Sequence, residues 1–244
     1  MNLENKVWDT IVVGGGPAGM TAAGRSAELG KTTLLLEKNN RLGEKLLITG
    51  GGRCNVTNNK LDFNLLVSSY KDKPKALYSL FSQFGAGDTL DFFNSRGMET
   101  KVEAEDRVFP VSDSAVSVWQ VLQDYISNNN VEIMNNSSVI SVQKNNDLFI
   151  INTNNGSFKS KSLILAVGGK SRPETGSTGD GFKWLEDLGH TIIDSSLALV
   201  PIAIKTEWIK SLPGLSFADV GLNVYSYGKK TLELEANSYL LTLE

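Results

Sequence analysis

The sequence predicts an α/β fold in two parts: a Rossmann-like domain with a parallel central sheet over residues 1–194, then strands of a mainly antiparallel module over 195–244. Three observations carry this prediction. A short β-branched strand runs straight into a glycine fingerprint; a helix of small residues and a second apolar strand closed by an acid follow it; and far down the chain another apolar strand ends in two glycines.

Thr10-Ile11-Val12-Val13 is a compact apolar run of the kind that is buried on both faces of a parallel sheet. It ends in Gly14-Gly15-Gly16-Pro17-Ala18-Gly19, which fits G-x-G-x-x-G through Gly14, Gly16 and Gly19. Gly14 permits the tight turn, Gly16 lets the backbone approach a pyrophosphate, and Gly19 lets the next helix pack closely on the sheet. Met20 to Leu29 is rich in small residues and stops at Gly30, as a helix lying against a sheet does. Its amino end, with free N–H groups and a positive dipole, favours an anion. Thr32 to Leu36 is the second strand, and Glu37 closes it where an acid takes the ribose hydroxyls of a dinucleotide. NAD and FAD both use this unit.

Beyond Asn58 a helical excursion is expected over about 60–112, from the apolar spacing of Pro74 to Phe84 and Thr89 to Ser95. Tyr78, Phe81, Phe84, Phe92 and Phe93 read as core residues. Ser112, Asp113 and Ser114 offer caps for a helix reaching about Ser127, and Val131 to Met134 and Ser138 to Val142 read as strands. Phe149 to Asn152 and Ser157 to Lys159 form a hairpin across Asn154-Asn155-Gly156. Leu163 to Gly169 reads as a separate buried parallel strand. Ser177, Thr178 or Asp180 then caps a helix from Phe182 to Leu188. After Asp194, Leu197 to Ile204, Val220 to Tyr227 and Thr231 to Glu235 read as antiparallel strands.

The second glycine-rich stretch, Leu42 to Asn58 with Thr49-Gly50-Gly51-Gly52-Arg53-Cys54-Asn55 at its centre, discriminates between cofactors. Together with Gly14 to Gly19, Arg107-Val108-Phe109-Pro110, Ala166-Val167-Gly168-Gly169 and Gly176 to Gly181, it resembles the YhiN/BaiN-like family of NAD(P)/FAD-dependent oxidoreductases over nearly the whole chain. The resemblance implies a glutathione-reductase-like flavin fold, with residues 1–194 the FAD-binding domain and 195–244 the start of an inserted substrate domain, the chain ending short of the carboxy-terminal flavin segment. It also implies cofactor contacts from Gly14, Gly16, Pro17, Ala18, Gly19, Glu37 and Lys38, from Lys45 and Thr49 through Asn55, from the backbone near Val139, and from Ala166 through Gly169. Residue chemistry agrees with this. Three consecutive glycines can aim several N–H groups at one anion, Lys45 and Arg53 add charge, and Asn55 can both donate and accept at the edge of an isoalloxazine ring. The competing reading of the loop is a solvated turn with two surface cations.

Composition is that of an ordinary enzyme. The chain of 244 residues has 24 basic and 27 acidic residues, a net charge of −3, and so no basic excess to hold a nucleic-acid backbone. The amino terminus lacks the apolar core of a signal peptide and no apolar run reaches membrane-spanning length; with a single thiol and so no disulfide scaffold, a cytoplasmic protein is expected. Cys54 is the sole cysteine, which excludes an internal disulfide and a C-x-x-C redox pair; it reads as a packing residue beside the cofactor. With Cys54 and His190 as the only residues of their kinds, no metal site is expected.

The family includes reductases of conjugated carbon–carbon double bonds in 3-oxo bile-acid intermediates, and members described as oxidases of small amino ketones. The expected function is therefore FAD-dependent oxidoreduction of a small molecule, with hydride passing from a transiently bound NAD(P)H through flavin to an electron-poor double bond. The alternatives are an amine or aminoketone oxidase using dioxygen, a flavin-dependent RNA-modifying enzyme, which the charge balance disfavours, and a non-catalytic FAD-binding fragment. No catalytic residue is named by the sequence, and no signal sets the oligomeric state.

Overall fold

The computed structural model describes residues 6–70, 74–193, 216–217, 221–226, 229–235 and 241–242. They fall into two units, Met1–Ile192 and Ile193–Glu244.

In the first unit β1 (Val7–Val13) enters the turn at Gly14, and α1 (Pro17–Glu28) leaves it with Pro17 in the first turn, where a missing N–H costs nothing. Gly30, at φ 78°, closes α1 by donating its N–H to the Ala27 carbonyl at 2.8 Å. Next come β2 (Thr33–Leu36), the short α2 (Glu44–Ile48) and a 3-10 turn over Thr49–Gly52. The excursion contains β3 (Thr57–Asn58), α3 (Phe63–Ser68), α4 (Pro74–Phe81), α5 (Ala86–Asn94), β4 (Thr100–Val102) and β5 (Arg107–Pro110). The chain returns through α6 (Ala115–Asn128), capped by the Ser114 hydroxyl, which accepts the Val116 N–H at 3.3 Å. It then runs through β6 (Glu132–Met134), β7 (Val139–Asn145), β8 (Leu148–Thr153), β9 (Gly156–Leu165) and α7 (Asp180–Asp187).

The main sheet has the order β6-β2-β1-β9-β8-β7, parallel from β6 to β9 and antiparallel across β9-β8-β7. Strand alternation divides the core between two faces. Val12 and Leu35 pack with Met20 and Ala23 of α1 and Val118, Leu122 and Ile126 of α6. Ile11, Val13, Leu34 and Leu36 pack with Val142, Ile151, Phe158 and Trp184. The Gly14 turn is thereby held at the carboxyl end of β1 between two packed layers, where open α/β sheets place their ligands.

Four expectations are corrected. The excursion is only half helical, since β3, β5 and β4 form a small antiparallel sheet. Phe93 is buried, but Tyr78, on a solvent-facing side of α4, is 41% exposed, and Phe84, in the turn between α4 and α5, is 49% exposed. The hairpin and the strand ending at Gly169 are one continuous element: β9 pairs with β8 through Gly156–Ser160 and with β1 through Lys159–Leu165. Over Ser162–Leu165 β9 has no partner opposite β1 among the described residues, and Ile164 is 36% exposed rather than buried. Finally the cap position of α7 is Gly179, at φ 84°, which has no side chain to accept a hydrogen bond, while Thr178 donates to Asp180 and Lys38 donates to both.

In the second unit β10 (Ser216–Phe217) pairs antiparallel with β13 (Leu241–Thr242), and β11 (Gly221–Ser226) with β12 (Lys229–Glu235), the register shifting between Val224 and Tyr225. The strand expected over Leu197–Ile204 lies outside the described residues. Among the described residues no helix is long and apolar enough to cross a membrane.

Candidate functional site

The turn between β1 and α1 is built by contact distances that only glycine satisfies. A Cβ on Gly19 would lie 1.8 Å from the Gly14 carbonyl oxygen, and one on Gly14, at φ 103°, would lie 2.5 Å from that of Ala166. Gly16 differs: a Cβ there would meet nothing within 4 Å. Its missing side chain leaves open space at the amino end of a 12-residue helix, which suits an anion approaching the backbone. The residues present thus fit a dinucleotide pyrophosphate.

Glu37 forms the floor beneath the turn. It is 7% exposed, and its two oxygens accept from backbone: Oε2 from the Gly15 N–H at 2.6 Å and Oε1 from the Asn39 N–H at 2.8 Å. Each oxygen retains a lone pair for a ribose hydroxyl. Gly15, which sequence reasoning passed over, thus holds the acid in place.

Around this floor runs a cleft of about 450 Å³, lined by Gly14, Gly16, Pro17 and Ala18, by Glu37, Lys38 and Lys45, by Val139, and by Ala166, Val167 and Gly168. The structure therefore brings eleven of the expected residues together, from segments up to 154 positions apart. Gly19 supports the turn from below. Gly169 is exposed and lies outside the lining. Sequence reasoning missed Asn39, Gly43, Ser137, Ser138 and Trp184, which complete the wall, and gave the segment Thr175 to Asp180 only a capping role.

That segment, together with Ser171 before it, grips the two cations. Lys45 Nζ donates to the Ser177 hydroxyl at 2.5 Å and the Ser171 carbonyl at 2.8 Å; Lys38 Nζ donates to the Thr178 hydroxyl at 2.9 Å and to Asp180 at 3.3 Å. The Thr178 hydroxyl, and then Lys38, hold the Asp180 carboxyl below its ordinary range. A lysine has three N–H donors, so each ammonium keeps one for a ligand. The sequence signal was the pair of glycines, Gly176 and Gly179; the structure gives both positive φ, and a Cβ at Gly176 would press on Asn39 and Lys38.

A second hollow, of about 1160 Å³, shares Pro17 and Ala18 with the first and adds Thr49, Cys54 and Asn55, with Phe84, Phe92 and Phe93 of the excursion. Burial pushes the Cys54 thiol up, partly opposed by a hydrogen bond with Thr49, so it is a neutral packing group. Asn55 uses its side-chain oxygen to accept the Val108 N–H at 3.3 Å. Gly50, Gly51 and Gly52 line neither space.

Arg53, expected among the cofactor contacts, has its side chain engaged within the protein. Its guanidinium donates to Glu103 and to Asp113 and lies 4.1 Å from the centre of the Phe109 ring. Two carboxylates and an aromatic face already surround it, and it lines neither hollow. Among the described residues no group of three or more His, Cys, Asp or Glu is placed to hold a metal.

Comparison with known proteins gives the same assignment from another direction. The family model described as the HI0933-like protein Rossmann domain matches residues 8–236. The 3-dehydro-bile acid delta(4,6)-reductase of Clostridium scindens is 33% identical over 196 residues, covering 80% of this chain and 47% of that protein. The ribosomal RNA dihydrouridine synthase of Escherichia coli is 29% identical over 209 residues, covering 86% and 51%. The chain thus spans about half the length of these relatives. Among solved structures, the open conformation of a flavocytochrome c3 fumarate reductase aligns with TM-score 0.61 at 17% identity, over 88% of this chain and 48% of that one, a likeness of fold. With the fingerprint, the buried acid and the return of Ala166 to the turn all in place, and a family model spanning most of its length, the chain belongs to the HI0933-like Rossmann family of flavoprotein oxidoreductases.

Proposed function

We propose that this chain is the flavin-holding part of a FAD-dependent reductase that saturates a carbon–carbon double bond conjugated to a carbonyl, with NAD(P)H as the transient electron donor. The observation that carries the reading is the cleft itself: an open approach at Gly16 on a helix amino terminus, with a buried acid beneath it. The two kinds of relative, named for different substrates, support the type of bond. A 3-oxo group conjugates with double bonds at the 4 and 6 positions of a steroid, and the uracil 5,6 double bond is conjugated with its 4-carbonyl, so both names describe the same chemistry. The balance is one hydride and one proton added across the double bond as NAD(P)H becomes NAD(P)+.

When bound, FAD supplies a two-electron carrier for that exchange. The chain's own residues bind and orient it. The α1 amino terminus and the spare donors of Lys38 and Lys45 would hold the diphosphate, and Glu37, held by its two backbone bonds, would accept from the ribose. Val139, with Ser137 and Ser138, also lines the cleft and would border the adenine. Thr49, Cys54 and Asn55 border the second hollow, which would receive the flavin ring.

The test is release of bound cofactor by heat with identification by mass, followed by anaerobic mixing of the purified chain with NADH or NADPH and then with a 3-oxo-4,6-diene steroid. Recovered FAD, bleaching by the nicotinamide and return of colour with the steroid support the reading. Nicotinamide dinucleotide as the sole cofactor, or bleaching by amines alone, overturns it. A second reading, favoured by the names of the Escherichia coli and Haemophilus influenzae relatives, is that the acceptor is a uridine in ribosomal RNA. Return of colour with ribosomal RNA but not with the steroid, accompanied by dihydrouridine in the digested RNA, selects it.

A further inference from the structure

We infer that Arg53 is a positioning residue: with Glu103 and Asp113 it forms a latch that holds the glycine loop Thr49–Asn55 in its cofactor-facing shape before any cofactor arrives. The flavin reading enters only in what the loop faces; the latch itself rests on this chain's geometry.

The loop needs holding. Gly50, Gly51, Gly52 and Cys54 have φ values of 56°, 66°, 85° and 61°, so four of five consecutive residues are left-handed, one of them carrying a side chain. Glycine loses much backbone freedom when fixed in one conformation, and a left-handed cysteine is intrinsically unfavourable. The loop's own backbone bonds are those of a single tight turn: Arg53 N–H donates to the Gly50 carbonyl at 3.3 Å and also to that of Thr49, and Cys54 N–H to that of Thr49 at 3.1 Å.

What the loop lacks internally is provided from outside. Arg53 reaches Glu103, just after β4, and Asp113, just before α6, and rests on Phe109 of β5. Lys101 closes the ring, 2.5 Å from Asp113 and 3.5 Å from Glu103. Two cations and two anions thus form one neutral network, and a planar guanidinium with its five donors is suited to bridging two carboxylates. Arg53 thereby ties the loop to segments flanking β4 and α6 and to β5, adding to the bond that Asn55 accepts from Val108 of β5, while Cys54 and Asn55, the next two residues, line the hollow.

The test compares the full chain with two variants: Arg53→Gln, and the isosteric pair Glu103→Gln with Asp113→Asn, which leaves Arg53 in place but unpartnered. Hydrogen–deuterium exchange of the loop amides is measured without added flavin, with the amides of β1 as internal standard so that general destabilisation is separated from release of the loop. FAD affinity is then measured by titration. Two partly exposed ion pairs and a cation–π contact of ordinary worth correspond to about a tenfold effect. Both variants are expected to exchange the loop about tenfold faster, to bind FAD about tenfold more weakly, and to show no further loss when combined. Unchanged loop exchange in the carboxylate pair overturns the latch. So does an additive loss of affinity in the combined variant, because that assigns Arg53 a direct contact with the cofactor. If the wild-type chain binds no FAD, the flavin reading fails, and loop exchange still decides the latch.

Discussion

Replacing Glu37 by glutamine separates the role of that side chain in the fold from its proposed role at the cofactor. Its carboxylate accepts the Gly15 N–H at 2.6 Å and the Asn39 N–H at 2.8 Å in a site 7% exposed. Glutamine has one oxygen, so one of the two N–H groups must face an NH2 group whichever way the amide turns. An unsatisfied buried donor costs about 1–3 kcal/mol, and the surviving bond loses its charge assistance. The net loss is about 2–3 kcal/mol, which in a domain of this size lowers the melting temperature by about 5–10 °C. The measurement is thermal and urea unfolding of the chain without flavin. Titration with FAD below the new melting temperature then reads the role at the cofactor, where loss of a charged acceptor for the ribose should weaken binding about 10- to 100-fold. A melting temperature within about 1 °C of wild type would refute the floor role. Unchanged FAD affinity in the folded variant would refute the ribose contact.

Gly16 and Gly19 should respond oppositely to alanine. Gly19→Ala places a Cβ 1.8 Å from a backbone oxygen and should lower stability by about 3 kcal/mol, whereas Gly16→Ala meets nothing within 4 Å and should leave melting nearly unchanged while abolishing FAD binding, as unfolding and titration will show. Lys45→Met should weaken FAD binding and also free the segment around Ser177, so proteolysis near residues 171–181 should accelerate; FAD affinity equal to wild type would exclude the lysine from the cofactor site. Because burial keeps the Cys54 thiol neutral, its contribution to stability is complete below the unfolded-state thiol value of about 8.5 and falls as pH rises toward the higher folded-state value. Urea midpoints of wild type should therefore drop relative to Cys54→Ala between about pH 8 and 10, and reaction with a thiol reagent at neutral pH should be slow.

Local sequence determined the parts of this protein whose geometry is local. The run Thr10–Val13, the spacing of Gly14, Gly16 and Gly19, and Glu37 at the end of β2 announce themselves because strand burial, a tight turn and a helix amino terminus each constrain a few adjacent residues. The same holds for Asn154-Asn155-Gly156, a turn that formed where its residue types demanded. What only the tertiary structure decided was which partner each polar group found. Lys45 lies 132 positions from Ser177, and Arg53 lies 50 from Glu103 and 60 from Asp113; nothing in local spacing says that the arginine meets two carboxylates. The continuity of β9, paired first with β8 and then with β1, was likewise hidden, because its outer half reads as a hairpin and its inner half as a core strand. Periodicity reports how a segment meets water and core, whereas the choice among competing charged partners is made by packing, which brings together residues that the chain keeps far apart.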